Sequence, residues 1–298
     1  MKKVLSVACA LCMTTAMLTG CGSSNNAGTA ATGEAQNSAA ASTTTEQAST
    51  ATDAGTTAGS DTLIALITMD SLDQHWVTLN EGAQKAAAEL GVTVQFMAPN
   101  TKDDAQQIEC VNNAVSAGAQ AIIVAANGPD AISSALREAS DAGVKLIYVD
   151  SPANVSAEAT FSTDNNAAGK TAGEEMKKAL ADAGVTSGSI GIINVNAATD
   201  SCVMREEGFR SAFEGTDFEL LETQYGEGDA AKSQSIAENY ITQGVVGIFG
   251  CNEGSTTGAG NAIKASGKDN VIGVGFDKSD AILGLIDDGY LLLSLIHI

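Results

Sequence analysis

The chain has 298 residues and a formal net charge of −21, with 15 lysines and arginines against 36 acidic residues. Such a surface repels phosphate backbones and anionic headgroups, which argues against nucleic-acid binding and against electrostatic adhesion to a membrane. The hydrophobic fraction, 44%, is that of an ordinary globular protein.

Met1-Lys2-Lys3 forms a positive start, followed by an apolar stretch from Val4 to Leu18. That stretch is shorter than the ~20 apolar residues of a membrane-spanning helix. Residues 1–20 therefore have the layout of a secretory signal peptide, and Leu18-Thr19-Gly20-Cys21 matches the bacterial lipobox. The expectation is cleavage before Cys21, acylation of its thiol, and attachment to the extracytoplasmic face of the cell membrane by two or more acyl chains. Residues 21–60 are almost wholly Gly, Ala, Ser, Thr and Asn, which cannot build a core and predict a flexible tether.

From residue 61 onward apolar runs alternate with helical patterns. Strands are expected at Leu63–Thr68, Thr93–Met97, Ala121–Ala125, Lys145–Val149, Ile190–Val195, Glu219–Gln224, Gly247–Phe249 and Val271–Val274. Several lack polar alternation, as strands buried on both faces of a parallel sheet do. Helices are expected at Trp76–Leu90, Asp103–Ala117, Pro129–Ala142, Ala167–Ala183, Met204–Phe213, Ala230–Thr242, Thr256–Ala265 and Ser279–Asp287. Gly91, Gly118, Gly143 and Gly184 follow helices where a left-handed cap is wanted. The alternation predicts an α/β, doubly wound fold.

The chain also echoes itself. Glu81-Gly82-Ala83 is answered by Glu207-Gly208-Phe209, Asn127 by Asn252, and Val149-Asp150 by Phe276-Asp277, at offsets of 125 to 127 residues. Two similar parallel-sheet lobes are expected, an N-terminal lobe at 61–163 and a C-terminal lobe at 164–290. Ligands of open α/β sheets bind beyond the carboxyl ends of the strands, so two such lobes face to face make a cleft.

The strand-end residues are therefore the candidates. Met69 to Trp76 gathers Asp70, Asp73, His75 and the chain's one tryptophan. A Trp face suits the C–H face of a sugar ring, while Asp, Asn and Arg suit its hydroxyls. The alternative is that Trp76 is a core residue opening a helix capped by Asp73. Asn127, Asp150, Asn252 and Asp277 end strands, and Arg205 opens a helix facing the same cleft. Glu253 is a candidate rim charge, and Asp229 is either a site residue or a helix cap.

Enzyme chemistry finds little purchase. His75 and His297 are the only histidines, and neither a nucleophile elbow nor a zinc motif occurs. Gly258-Ala259-Gly260 is a fragment of a dinucleotide fingerprint that lacks its third glycine, and helix packing explains it more simply. Cys9 and Cys12 leave with the signal. Cys110, Cys202 and Cys251 allow one disulfide but read better as small buried apolar residues. No enzymatic activity, cofactor or metal is expected.

At these residues the chain resembles the periplasmic ribose-binding family of sugar-binding proteins, whose type I fold also forms the core of LacI-type repressors. The resemblance runs from about Thr62 to Tyr290. It rests on Ile64-Ala65-Leu66-Ile67, Trp76-Val77, Glu81-Gly82-Ala83-Gln84-Lys85, Thr163-Asp164-Asn165 with Gly169-Lys170, Arg205-Glu206-Glu207-Gly208-Phe209 and Gly275-Phe276-Asp277. It implies two lobes joined by a hinge, and a sugar held by an aromatic pair falling on His75 and Trp76. It also implies hydroxyl-binding groups at Asp73, Asp150, Arg205, Asn252 and Asp277. The pattern departs where Ser151 replaces an arginine, Ala125 an asparagine (leaving Asn127 as the nearest amide) and Gly228 an aromatic residue. These departures imply a remodelled pocket.

The resemblance further implies a third hinge strand near residues 291–298, with its polar residue near His297. The chain stops there, and an open reading frame truncated at its C-terminus, or a non-native tail, is the expectation. The implied function is a monomeric lipoprotein that captures a monosaccharide (pentose, hexose or related polyol) for the permease of an ABC importer. A ligand sensor for a membrane receptor or histidine kinase is the alternative. A repressor core and a secreted hydrolase are disfavoured by the lipobox, the acidity and the lack of catalytic motifs.

Overall fold

A computed structural model of the chain describes residues 62–296; the stretches expected to be a signal peptide and a tether, Cys21 and His297 lie outside the described residues. The chain runs β1 (Leu63–Ile67), α1 (Gln74–Leu90), β2 (Thr93–Met97), α2 (Asp104–Ser116), β3 (Ala121–Val124), α3 (Ser133–Asp141), β4 (Lys145–Val149) and β5 (Ala159–Phe161). It continues with α4 (Asn165–Asp182), β6 (Gly188–Asn194), α5 (Asp200–Ala212), β7 (Phe218–Leu220), β8 (Gln224–Tyr225), α6 (Ala230–Gln243), β9 (Gly247–Gly250), α7 (Glu253–Ser266), β10 (Ile272–Phe276), α8 (Asp280–Asp287) and β11 (Leu293–Leu295).

The strands form two sheets, β2-β1-β3-β4-β5 and β7-β6-β9-β10-β11, with β8 alongside β6. Every pairing is parallel. With β8 set aside, the two strand orders coincide. The repeat seen in the sequence offsets is thus a repeat of topology, and the fold is two similar doubly wound α/β lobes. The chain crosses from the first sheet to the second between β5 and α4.

The apolar runs account for the layering. In the second lobe Ile192, Phe249, Val274 and Phe276 pack under α4 and α5 with Met176, Leu180 and Phe209. Their neighbours Ile193 and Ile248 pack on the opposite face with Tyr240, Ile241 and Ile263 of α6 and α7. Each such buried side chain contributes about 1.5–3 kcal/mol relative to an exposed one. Phe209 and Phe249 stack with parallel rings at 4.2 Å between centroids. In the first lobe Ile67, Ile122, Val124, Leu146 and Tyr148 pack under α2 and α3. The other face carries only a small cluster of Met69, Trp76 and Ala125 beside α1. Next to it lies an open cavity of about 620 Å³ bordered by Leu66, Leu79, Ile123 and Val149.

Helix ends follow local rules. Asp103, Asp164, Asp229, Asn252 and Ser279 each accept a bond from the backbone N–H three residues on, the N-cap arrangement. Asp229 is thus a helix cap. The four glycines expected to cap helices all have positive φ. The close fit of α4 on α5 depends on Gly169 and Gly208: a Cβ on either would lie 2.0 Å or less from a backbone carbonyl oxygen of the facing helix. Gly258 likewise lies against α6, so the fragment at 258–260 is a helix contact.

Several boundaries differ from expectation. α5 begins at Asp200, a turn before Met204, so Arg205 sits inside the helix and does not open it. α7 begins at Glu253, ahead of Thr256. The openings carry weak helix formers, Asp200 and Ser201 in α5 and Gly254 and Ser255 in α7, which helix packing overrides. α3 starts at Ser133, after a turn at residues 129–132. The expected strand at 219–224 is split into β7 and β8. Residues 293–295 pair with β10 at the edge of the second sheet.

Candidate functional site

The strand ends of both lobes meet in one polar cleft. Ser151, two residues past β4, donates through Oγ to Ser201 Oγ of α5 at 2.8 Å. Thr199 Oγ1 donates to the Asn127 carbonyl at 2.8 Å, and Asn196 Nδ2 to Asn127 Oδ1 at 3.4 Å. These bonds join the lobes directly.

Arg205 is the centre of the cleft and only 4% exposed. Its Nε donates to Asn165 Oδ1 at 2.9 Å and its Nη1 to the Cys251 carbonyl at 3.0 Å. The guanidinium lies 4.3 Å over the Phe276 ring, a cation–π placement. Asp150 Oδ2 approaches Nη2 at 3.7 Å from one lobe, and Asp277 Oδ1 approaches Nη1 at 4.0 Å from the other. Burial opposes the charge, but Asp277 and Asp150 hold the guanidinium pKa above its ordinary value. Both separations exceed hydrogen-bond length, so the carboxylates remain able to accept from a ligand hydroxyl.

Around this centre stand the other candidates. His75 Nε2 lies 3.7 Å from Asp150 Oδ2. His75 and Trp76 meet edge to face, planes 72° apart, so the pair does not form a parallel-walled slot. Trp76 is buried against Met69 and Ala125, and its Nε1 has no hydrogen-bond partner. Asn127 Nδ2 donates to Asp104 Oδ1 at 2.6 Å. Asn252 spends its Oδ1 on Ser255 as the cap of α7. Asp277 Oδ2 accepts from the Glu253 N–H at 2.7 Å.

Two residues take larger parts than the sequence indicated. Glu253, from the second lobe, accepts from the His75 backbone N–H of the first lobe at 3.2 Å. Burial, then Asp73, pushes its carboxyl up to about 6. Lys102, in the loop between β2 and α2, donates to Asp70 and, at 2.6 Å, to Asp73 Oδ2. Despite burial, both aspartates hold the lysine above its usual pKa. Asp70 stays below the carboxylate norm: burial raises it, but Lys102 and the N–H groups of Asp73 and Leu72 outweigh that. Asp73 lies above the norm, because burial and two facing carboxylates outweigh Lys102. The strand-end rule, applied to β2, points to Lys102; composition and motifs do not.

Cavities of about 460 and about 800 Å³ border Lys102, Thr101, Glu227 and Asp229. Small-molecule sites span ~300–1,000 Å³. Among the described residues no cluster of His, Cys, Asp or Glu is arranged to hold a metal ion, and no helix is long and apolar enough to cross a membrane. Cys110, Cys202 and Cys251 are free thiols, the latter two buried.

Two matching α/β lobes with a polar cleft built from their strand ends define a solute-binding protein. Residues 64–295 match the periplasmic binding protein domain family, and the chain belongs to it. The ribose import binding protein RbsB of Haemophilus influenzae is 30% identical over 227 residues, 75% of each chain. An ABC transporter solute-binding protein from Agrobacterium vitis, solved with bound D-fucose, is 28% identical with a TM-score of 0.73. That match covers 77% of this chain and 81% of the other. A carbohydrate transporter solute-binding protein from Agrobacterium radiobacter, in complex with D-arabinose, is 27% identical with a TM-score of 0.74. It covers 78% and 81% of the two chains. The protein is a type I periplasmic sugar-binding protein, and its relatives bind solutes for transport; it is not an enzyme.

Proposed function

We propose that the protein is an extracytoplasmic lipoprotein that captures a monosaccharide, either a pentose, a hexose or a related polyol, and delivers it to the permease of an ABC importer. The observation that carries this reading is the placement of Asp150 and Asp277, one from each lobe, on the two sides of the Arg205 guanidinium. A sugar offers many hydroxyls and little apolar surface. It is held by acceptors and donors whose hydrogen bonds replace those lost to water, and charged groups make the strongest of them. When those groups are divided between two lobes, the ligand favours the closed arrangement, and closure is the signal a permease can read.

Attachment through Cys21 rests on the sequence alone and keeps the receptor beside its permease as a monomer. The test is a thermal-shift and Trp76-fluorescence screen of the full chain against pentoses, hexoses and polyols. Ligand at a hundred times Kd raises stability by ~2.7 kcal/mol. A screen without a single shift overturns the sugar reading. Loss of membrane partitioning in Cys21→Ser, against retention in the wild type, tests the anchor.

A further inference from the structure

The loop between β2 and α2 places one cation against residues of both lobes. The Lys102 side chain is only 6% exposed. On its own lobe it donates to Asp70 and Asp73. On the other it lies against Gly228, a residue with φ of +74° between β8 and α6. A Cβ on Gly228 would lie 2.6 Å from Lys102 Nζ and 2.8 Å from its Cδ and Cε. The lysine thus fills, from the first lobe, the space a side chain at 228 would fill from the second.

An ammonium carries three N–H donors. Two are used by Asp70 and Asp73, and among the described residues no further acceptor bonds the third. A tetrahedral ammonium bonded to two carboxylates of its own lobe keeps one N–H directed away from them, and Lys102 borders two cavities, of about 460 and about 800 Å³. Leaving a buried charged donor unmatched is costly. A second observation concerns Asp73. It is the N-cap of α1, yet its carboxylate makes no capping bond, whereas Asp103, Asp164 and Asp229 all cap their helices. Lys102 draws the Asp73 carboxylate off the helix end, so a donor and an acceptor stand side by side.

We propose that Lys102 is a ligand-contacting, specificity-determining residue: its third N–H donates to a ring hydroxyl while Asp73 accepts from the same or the adjacent hydroxyl, so the site selects sugars bearing that hydroxyl over their deoxy counterparts. The inference rests on the sugar-binding reading above. A site built around a hydroxyl rejects the analogue lacking it far more strongly than an apolar pocket rejects a missing methylene.

The experiment is isothermal titration of the full chain with its best monosaccharide and each monodeoxy analogue of that sugar, on the wild type, Lys102→Met and Lys102→Gln. Methionine keeps length and bulk without a donor; glutamine restores a donor. In the wild type, removing one particular hydroxyl raises Kd at least tenfold. In Lys102→Met the parent sugar weakens by a similar factor, and removing that hydroxyl has little further effect. Lys102→Gln, read in the same way if the methionine variant does not fold, recovers part of the discrimination. A wild type that binds no sugar overturns this inference together with the reading it rests on. A wild type that binds, with every deoxy analogue losing the same factor in all three proteins, overturns this inference alone.

Discussion

Asp150 and Asp277 occupy the same place in the two lobes, down to the backbone. Both follow the fourth strand of their sheet and both adopt left-handed φ, +59° and +71°. The N–H of Asp150 donates to the Phe161 carbonyl at 2.9 Å, and that of Asp277 to the Leu295 carbonyl at 2.7 Å. Ser162 Oγ donates to the carbonyl of the first, and Ser294 Oγ to that of the second. β11 is therefore the counterpart of β5, the strand after which the chain changes lobe.

This conformation costs an ordinary residue about 1–2 kcal/mol, and Asn and Asp tolerate it best. Asp277→Asn and Asp277→Ala both remove the carboxylate beside Arg205 and are expected to raise Kd for the sugar at least tenfold. The alanine variant should be the less stable of the two by about 1 kcal/mol, because asparagine tolerates the left-handed φ better. Denaturant titration beside calorimetric binding checks both; equal stability of the two variants would contradict the backbone argument.

Arg205→Met tests the centre of the cleft. It leaves Asp150 and Asp277 facing each other without the cation, and strips Asn165 and the Cys251 carbonyl of their partner. Removing one member of a buried ionic group destabilises by ~3–5 kcal/mol. Urea unfolding is expected to show a loss in that range, and binding should vanish.

Gly208→Ala probes the interhelical contact away from any ligand. The new methyl would fall 2.0 Å from the Asn166 carbonyl oxygen, and helix backbones cannot give way as side chains do. Overpacking of this kind costs about 1–3 kcal/mol. Chemical denaturation should report it, and whatever protein folds should retain sugar affinity.

The Glu253 carboxyl, pushed up to about 6 by burial and by Asp73, predicts a pH dependence. An acid whose folded pKa is raised binds its proton more tightly when folded. Its contribution therefore favours the folded form as pH falls from about 6 toward the ordinary glutamate value of 4.5. Asp73, Asp277 and His75 face the same group. Comparison with Glu253→Gln isolates its share: the slope of melting midpoint against pH between 7 and 5 should be less positive in the wild type than in the variant.

The thiols give a simpler check. Burial pushes the Cys202 thiol up to about 12 and Cys251 well above the ordinary range. Thiolate is the reactive form. Native protein treated with iodoacetamide should leave both unmodified, and both should label once it is unfolded.

Sequence reading reached the architecture because the architecture is written in local signals. Runs such as Leu63–Ile67 and Gly247–Gly250 are apolar throughout, and glycines or Asp caps mark the helix ends. The echo of Val149-Asp150 in Phe276-Asp277 gave the second lobe. Helix starts at Asp200 and Glu253 were not legible, because small polar residues open those helices and only packing makes them helical. Lys102 carried no signal in composition or motif, and Glu253 read only as a candidate rim charge, with nothing to name its partner. Each acts on residues far along the chain, Lys102 on Asp70 and Asp73 and Glu253 on His75. No spacing rule links them. The strand-end argument selects the right rim, but which side chain crosses it is decided only by the approach of the lobes.

The bond from His75 to Glu253 has one more consequence. With Asp73 turned toward Lys102, the first turn of α1 is completed by a carboxylate of the opposite lobe. When the lobes part, the His75 N–H loses that partner, so the opening of α1 is finished by the second lobe only while the two are together.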